Sequence, residues 1–207
     1  MLADQPIRQF LDALASDSPT PGGGGAAALT GALGAALVAM TANLTVGRKN
    51  YQDVEAEMQA LVRRSDELRA QLTALIDEDA GAFDQVSAAY RLPRASDEEK
   101  QARSAAIQSA LKAASDPPLR MVEAARQVLD LSVPAAQRGN ANLVSDAAVA
   151  AYLALAAMHG ARLNVEINLR SIKDEAFVHA ARSRLDSAFA GANDLVAAVE
   201  RAVAERG

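Results

Sequence analysis

Pro19-Thr20-Pro21-Gly22-Gly23-Gly24-Gly25 runs directly into Ala26-Ala27-Ala28-Leu29-Thr30-Gly31-Ala32-Leu33-Gly34-Ala35-Ala36-Leu37, and no charged residue follows until Arg48. Two prolines and four glycines are poor helix interior, so this run predicts a pliable loop. The alanine-rich stretch beyond it predicts a helix to about Val46 that is stable only when buried. A loop without side chains, at a helix N-terminus that favours negative charge, is a place where a ligand can come close to backbone.

The remainder of the chain supports a helical reading. Half of its 207 residues are hydrophobic but only 3% are aromatic, and alanine and leucine carry the apolar content. That composition favours helices packed through small side chains over a β-sandwich. The net charge of −5 gives nucleic-acid binding no electrostatic support. Cysteine is absent, which excludes disulfides and thiolate chemistry and agrees with a cytoplasmic protein. The N-terminal residues lack the basic start and apolar run of a signal peptide. Ala26 to Val46 is apolar enough to suggest a membrane span. Its alanine content, interior Thr and Asn, and lack of a Trp/Tyr belt favour the central helix of a soluble bundle instead.

Apolar spacing predicts a short helix over Ile7 to Leu14, with Ile7, Phe10, Leu11 and Leu14 on one face. From Val54 the steps alternate between four and three: Val54, Met58, Leu61, Ser65, Leu68, Leu72, Leu75, then Asp79, Ala82, Val86 and Ala89. This long helix should stop before Leu92-Pro93. Ser96, followed by Asp97, Glu98 and Glu99, reads as an N-cap with an acidic first turn; its helix is expected to run to about Ala114. Pro117-Pro118 is expected to break that helix and start another. Gly139-Asn140-Ala141-Asn142 reads as a turn, followed by a second charge-poor helix from about Leu143 to Ile172. A final amphipathic helix carries Phe177, Leu185, Phe189, Leu195 and Val199. No segment alternates as a strand and no linker divides the chain. The expected fold is therefore all-α: one domain over residues 1–207, a bundle of long antiparallel helices with two buried alanine-rich ones.

Polar residues stand where this pattern calls for apolar ones. Asp79 continues the Leu72–Leu75 seam, so either the helix end frays into solvent, or the acid pairs with a neighbouring base, or its pKa is raised. Asp146 and Asn164 are eighteen residues apart and share one face of the late helix, with Asn168 and Ser171 close to the same line and Ala150, Ala157 and Gly160 between. That face resembles the wall of a polar groove, although Ser145 or Asp146 can equally serve as a helix cap. Asn43 lies eighteen residues after Gly25 and on the same face of the early helix. His159 and His179 are the only histidines, without metal-ligand spacing, so no metal site is expected. The glycine run lacks the Lys-Ser/Thr ending of a P-loop. Arg48, Lys49, Arg91 and Arg94 flank helix ends and are available to anions.

Four segments, in order, resemble the cyclodeaminase/cyclohydrolase family of folate enzymes. They are Pro19–Gly24 with the helix ending Asn43-Leu44-Thr45-Val46-Gly47-Arg48-Lys49; Asp79-Ala80-Gly81-Ala82-Phe83-Asp84 leading into Tyr90-Arg91-Leu92-Pro93; Asn142-Leu143-Val144-Ser145-Asp146; and Asn164-Val165-Glu166-Ile167-Asn168. The resemblance implies an all-helical homodimer with a tetrahydrofolate site in a groove near the dimer interface, and no cofactor beyond that substrate. It also implies one of two activities: hydrolysis of 5,10-methenyltetrahydrofolate to 10-formyltetrahydrofolate, or ring closure of formimidoyltetrahydrofolate with loss of ammonia. Deaminase-like members typically carry serine after three glycines. Gly25 here, and the lack of an accompanying formiminotransferase domain, lean toward the cyclohydrolase. A non-catalytic folate-binding dimer is the third reading. For the hydrolysis, the expectation is Asp146 as principal acid/base and Asp79 as assistant. Pro21, Gly22, Gly23, Gly24, Gly25, Asn43, Ser145, Asn164 and Asn168 are expected to hold the substrate, with Lys49 or Arg48 at its glutamate carboxylates.

Overall fold

The structure, a computed structural model, describes residues 1–207 and contains helices without strands. The helices are α1 (Ile7–Leu14), α2 (Gly23–Asn43), α3 (Glu55–Tyr90), α4 (Asp97–Arg138), α5 (Val144–Leu169), α6 (Glu175–Phe189) and α7 (Ala192–Arg206). Helices α2, α3, α4 and α5 form the bundle, while α6 and α7 pack mainly against α4 and α5. The alanine-rich helices are its centre. Along α2, Ala28, Ala35, Val38 and Ala42 are fully buried; along α5, Ala147, Ala150, Ala151, Ala154 and Ala161 are. The two run antiparallel and close together. A side chain at Gly34 would meet the Ala150 carbonyl, one at Gly31 would meet Ala157, and one at Gly160 would meet Ala27. Both helices are long and apolar enough to cross a membrane, yet in this fold they are packed into the bundle.

The expected seam of α3 is the observed one. Met58, Leu61, Ser65, Leu68, Leu72 and Leu75 are buried in that order, and the half-buried Asp79 takes the next position. Ser96 caps α4 in a complete capping box with Glu99.

Four local expectations are corrected. The four glycines are not all loop: Gly22 is the N-cap, and Gly23, Gly24 and Gly25 form the first turn of α2. First-turn N–H groups have no intrahelical partner in any sequence, so the run starts a helix at little hydrogen-bonding cost. Pro117-Pro118 does not end a helix, because α4 continues through both, and through Pro134, to Arg138. Pro118 has no N–H for the Ala114 carbonyl four residues back. Asn168 of α5 supplies the missing donor, its Nδ2 lying 3.0 Å from that oxygen. A tertiary contact thus repairs the break that local chemistry predicts. The last amphipathic stretch is two helices, divided at Gly191, whose φ of 67° needs a residue without a Cβ. Finally, α1 buries only Phe10, and Ile7 and Leu11 remain exposed.

Candidate active site

The glycine turn, the third helix and the end of α5 meet at one end of the bundle. A Cβ built on Gly24 would lie 2.2 Å from Asp79 Oδ2 and 2.5 Å from its Cγ. Backbone and carboxylate therefore touch there, and only glycine allows it. Asn164 stands beside Gly23, its amide 3.8 Å from where a Cβ would be. Asp79, Asn164 and Asn168, with Phe83, Val86, Ala114 and Ile167, line a cavity of about 320 Å³. Phe83 and Ile167 give it an exposed apolar wall suited to a flat ring.

Burial pushes the Asp79 carboxyl above the usual carboxylate range, and no charged neighbour offsets this. Of the alternatives open for this residue, the structure shows the half-buried, unpaired acid. Asn164 donates Nδ2 to the Gly160 carbonyl at 2.9 Å, as Asn168 does to Ala114. These bonds fix both amides and leave each carbonyl oxygen free of partners within the chain. Asn168 thus serves the fold as well as the cavity.

The other expected residues gather elsewhere. Asn43 ends α2, Lys49 follows it on the surface, and Ser145 and the half-buried Asp146 begin α5. Asn140 ties these two termini together: its N–H donates to Thr45 Oγ1 at 2.8 Å and its Nδ2 to the Leu44 carbonyl at 3.3 Å. Asp146 is in the first turn of α5, but its side chain caps nothing; the N-cap is Leu143. Between Asp146 and Asn164 the helix rises about 27 Å. One chain therefore carries two separate clusters, at opposite ends of α2 and α5. Lys49 lies with Asp146, remote from the Asp79 cavity.

A partly exposed, mostly apolar strip joins the two ends. On α5 it runs Val149, Leu153, Ala156, Gly160, Leu163 and Ile167; on α2, Ala26, Thr30, Leu33, Leu37, Met40 and Leu44. Both series step by four and three, the spacing of a helix seam that packs against another helix. Leu163 is 72% exposed and Ile167 59%, which is unusual for such large apolar groups in so regular an array. The sequence reading took one face of α5 as the wall of a polar groove, and this strip was missed. The four-three spacing on α5 was its available signal.

This fold and this order of segments are shared. The formiminotransferase-cyclodeaminase family model matches residues 6–187. The chain belongs to that family. It is 48% identical over 195 residues to the methenyltetrahydrofolate cyclohydrolase of Methylorubrum extorquens, covering 94% of both chains. It is also 37% identical to the rat formimidoyltransferase-cyclodeaminase, over 90% of this chain but only 34% of that longer protein. The solved structure of formiminotetrahydrofolate cyclodeaminase from Thermotoga maritima superposes with a TM-score of 0.89 at 32% identity, covering 99% of this chain and 98% of that one.

Within this family frame, Gly25 loses some of the weight placed on it. A side chain there would face Pro21, Ile76 and Phe10 at ordinary contact distances. Pro21 is itself buried against this position. Position 25 therefore supports the glycine turn from behind, while Gly23 and Gly24 are the residues beside Asn164 and Asp79.

Proposed function

We propose that this protein is a methenyltetrahydrofolate cyclohydrolase that adds water to 5,10-methenyltetrahydrofolate. The similarity to the Methylorubrum enzyme over nearly the full length of both chains favours this activity over ammonia release. The observation that carries the chemistry is the half-buried Asp79 carboxyl, held against Gly24 without a cationic partner of its own. The methenyl group is an amidinium-like cation, which supplies the missing charge when substrate binds.

The steps follow from that placement. Ionised Asp79 stabilises the cation and takes a proton from the attacking water, and a C–O bond forms at the methenyl carbon. The neutral tetrahedral intermediate then collapses. Its bond to N5 breaks, Asp79 returns the proton to N5, and the hydroxyl proton leaves as the formyl C=O forms. One proton is released overall, with no metal and no cofactor beyond the substrate. A raised pKa makes Asp79 a stronger base than an ordinary aspartate and a competent acid in the second step. Asn164 and Asn168 offer amide groups to the pterin edge, and Phe83 and Ile167 its apolar surroundings. This moves the leading role from Asp146 to Asp79.

Asp146 enters through a second chain. The partly exposed seams of α2 and α5 ask for a partner of the same length, and a second copy presents one. A two-fold axis across the middle of the strip, perpendicular to the helices, lays the Asn43–Asp146 end of one protomer against the Asp79–Asn164 end of the other. Each dimer then holds two composite sites, with Asp146 and Asn43 of one chain facing Asp79 of its partner. The lack of cysteine agrees with a cytoplasmic location for this dimer.

Activity is read directly from the decay of methenyltetrahydrofolate absorbance with and without protein. Acceleration, with no ammonia released from formimidoyltetrahydrofolate, is the expected outcome. Ammonia release without hydrolysis would establish the deaminase instead, and tight folate binding without turnover a binding protein.

A further inference from the structure

Asp77, Glu78 and Asp79 are consecutive on α3, and each meets a different part of the chain. Successive helix positions are about 100° apart, so Asp77 and Asp79 point to opposite sides of α3, with Ile76 between them on one flank and Glu78 on the other. Glu78 pairs with Arg120 of α4, and Asp79 stands against Gly24. Asp77 has no cationic partner. Its carboxylate accepts the Leu2 N–H at 2.6 Å and the Ala3 N–H at 3.4 Å. Those donors open the 3-10 turn Leu2–Asp4 and have no partner inside it. From this clip the chain passes Ile76 and returns to the start of α2. Pro21, Ile76 and Phe10, the one buried residue of α1, lie 3.5, 3.7 and 4.0 Å from where a Cβ on Gly25 would stand. Between them the loop is braced by itself, with Ser18 Oγ donating to the Thr20 carbonyl at 2.7 Å. Residues 1–21 therefore form a strap: Asp77 ties one end to α3, Phe10 and Pro21 wedge it behind the glycine turn, and the other end continues into Gly22–Gly24. The two bonds to Asp77 are its only hydrogen bonds to the bundle, and no ion pair joins it there.

We infer that Asp77 is a positioning residue for Asp79: by clipping the strap to α3, it keeps the glycine turn pressed against the Asp79 carboxyl. The inference rests on the reading of Asp79 as the acid/base. Contact at Gly24 is close enough to exclude a Cβ, so any outward movement of the turn opens a gap beside the carboxyl. Water entering that gap relieves the burial that raises the Asp79 pKa, and the carboxyl loses the surface that fixes its direction. Charge around Asp79 is sparse. Gly24 of α2, Ala114 of α4, and Asn164, Ile167 and Asn168 of α5 face it without any. On α3 the charges beside it are Asp77 and the paired Glu78. In the strap, the Met1 ammonium is 3.8 Å from Asp4, while Arg8, Asp12 and Asp17 are exposed. Asp77 is therefore the one unpaired charge beside Asp79 on its own helix, and a test must separate that charge from the clip.

Asp77→Ala and Asp77→Asn make that separation. Both remove the negative charge, but only asparagine keeps a side-chain oxygen for the Leu2 N–H. Asp77→Ala is expected to lower kcat on 5,10-methenyltetrahydrofolate about tenfold, part of what a 1 Å misplacement costs, with KM within about twofold. The acidic limb of its kcat/KM profile should move down toward the ordinary carboxylate range. Asp77→Asn should stay within about twofold of the unaltered protein in kcat and keep the limb in place. Equal behaviour of the two variants, by kcat or by limb, overturns the inference in favour of a charge effect or none. A lower thermal midpoint in Asp77→Ala with kcat and limb unmoved also overturns it, because the clip would then serve stability alone. If the unaltered protein turns over no methenyltetrahydrofolate, or Asp79→Asn stays fully active, the acid/base reading fails separately. Carbon NMR titration of the Asp79 carboxyl then decides the clip without turnover. A titration point lowered in Asp77→Ala but not in Asp77→Asn supports it; one unmoved in both, or lowered in both alike, contradicts it.

Discussion

Asp79→Asn is expected to lower kcat by about a thousandfold, within the range measured for removing a general acid/base, while making the folded protein more stable at neutral pH. The two effects have one cause. Burial raises the carboxyl pKa above its ordinary 3.8, so the folded state resists its ionisation. Below the unfolded value both states are protonated and no penalty exists. As pH rises from there through the raised folded value, the native state holds a proton that the unfolded state has lost, and stability declines. Above the folded value the penalty is constant. An asparagine has no such penalty, so the variant's advantage in denaturant midpoint should appear between these pH limits and persist to neutrality. The acidic limb of kcat/KM in the unaltered protein should lie above the ordinary carboxylate range, because that profile reports the free protein. A variant that is both inactive and less stable at neutral pH would show that Asp79 is a structural acid with a partner.

Gly24→Ala is expected to cost about a hundredfold in kcat, because misplacing a catalytic group by about 1 Å is enough for that. Intrinsic propensity argues that the change should help α2, since alanine is preferred over glycine in a helix by up to about 1 kcal/mol. Geometry argues otherwise for the site. The new methyl would stand 2.2 Å from Asp79 Oδ2, and the carboxylate, as the end of a side chain, is what moves. Activity and stability should therefore separate: turnover falls while the thermal midpoint stays or rises. Measuring both on the same preparation checks this. Gly25→Ala is the control, because its methyl meets only ordinary contacts with Pro21, Ile76 and Phe10.

The all-α fold and most helix positions were legible because they rest on periodicity and composition. The α3 seam was readable to the residue, including the acid at Asp79, since a four-three pattern is a local property of one chain segment. Family membership was equally legible from the glycine run and the three Asp/Asn segments. What sequence misplaced depends on contacts between distant segments. Pro117-Pro118 looks like a helix end until Asn168, 54 residues from the freed carbonyl, is seen to satisfy it. The glycine run looks like a loop until its first turn is seen against Asp79. Asp146 and Asn164 share a helical face, as their spacing requires. The same spacing also puts them about 27 Å apart along the helix, too far to share one ligand within one chain, and that consequence of the helical rise was not drawn from the sequence.

The claim that two chains build each site is tested most directly by mixing inactive variants. Asp79→Asn and Asp146→Asn proteins are prepared separately, each with low turnover, then dissociated, mixed in equal amounts and reassembled. If each site takes Asp79 from one protomer and Asp146 from its partner, half of the dimers are mixed. Each mixed dimer then has one site with both carboxylates, and about a quarter of the unaltered protein's activity should return. If both carboxylates serve a site within one chain, or if Asp146 serves none, no such recovery can occur; a mixture no more active than its separate components would contradict the composite site.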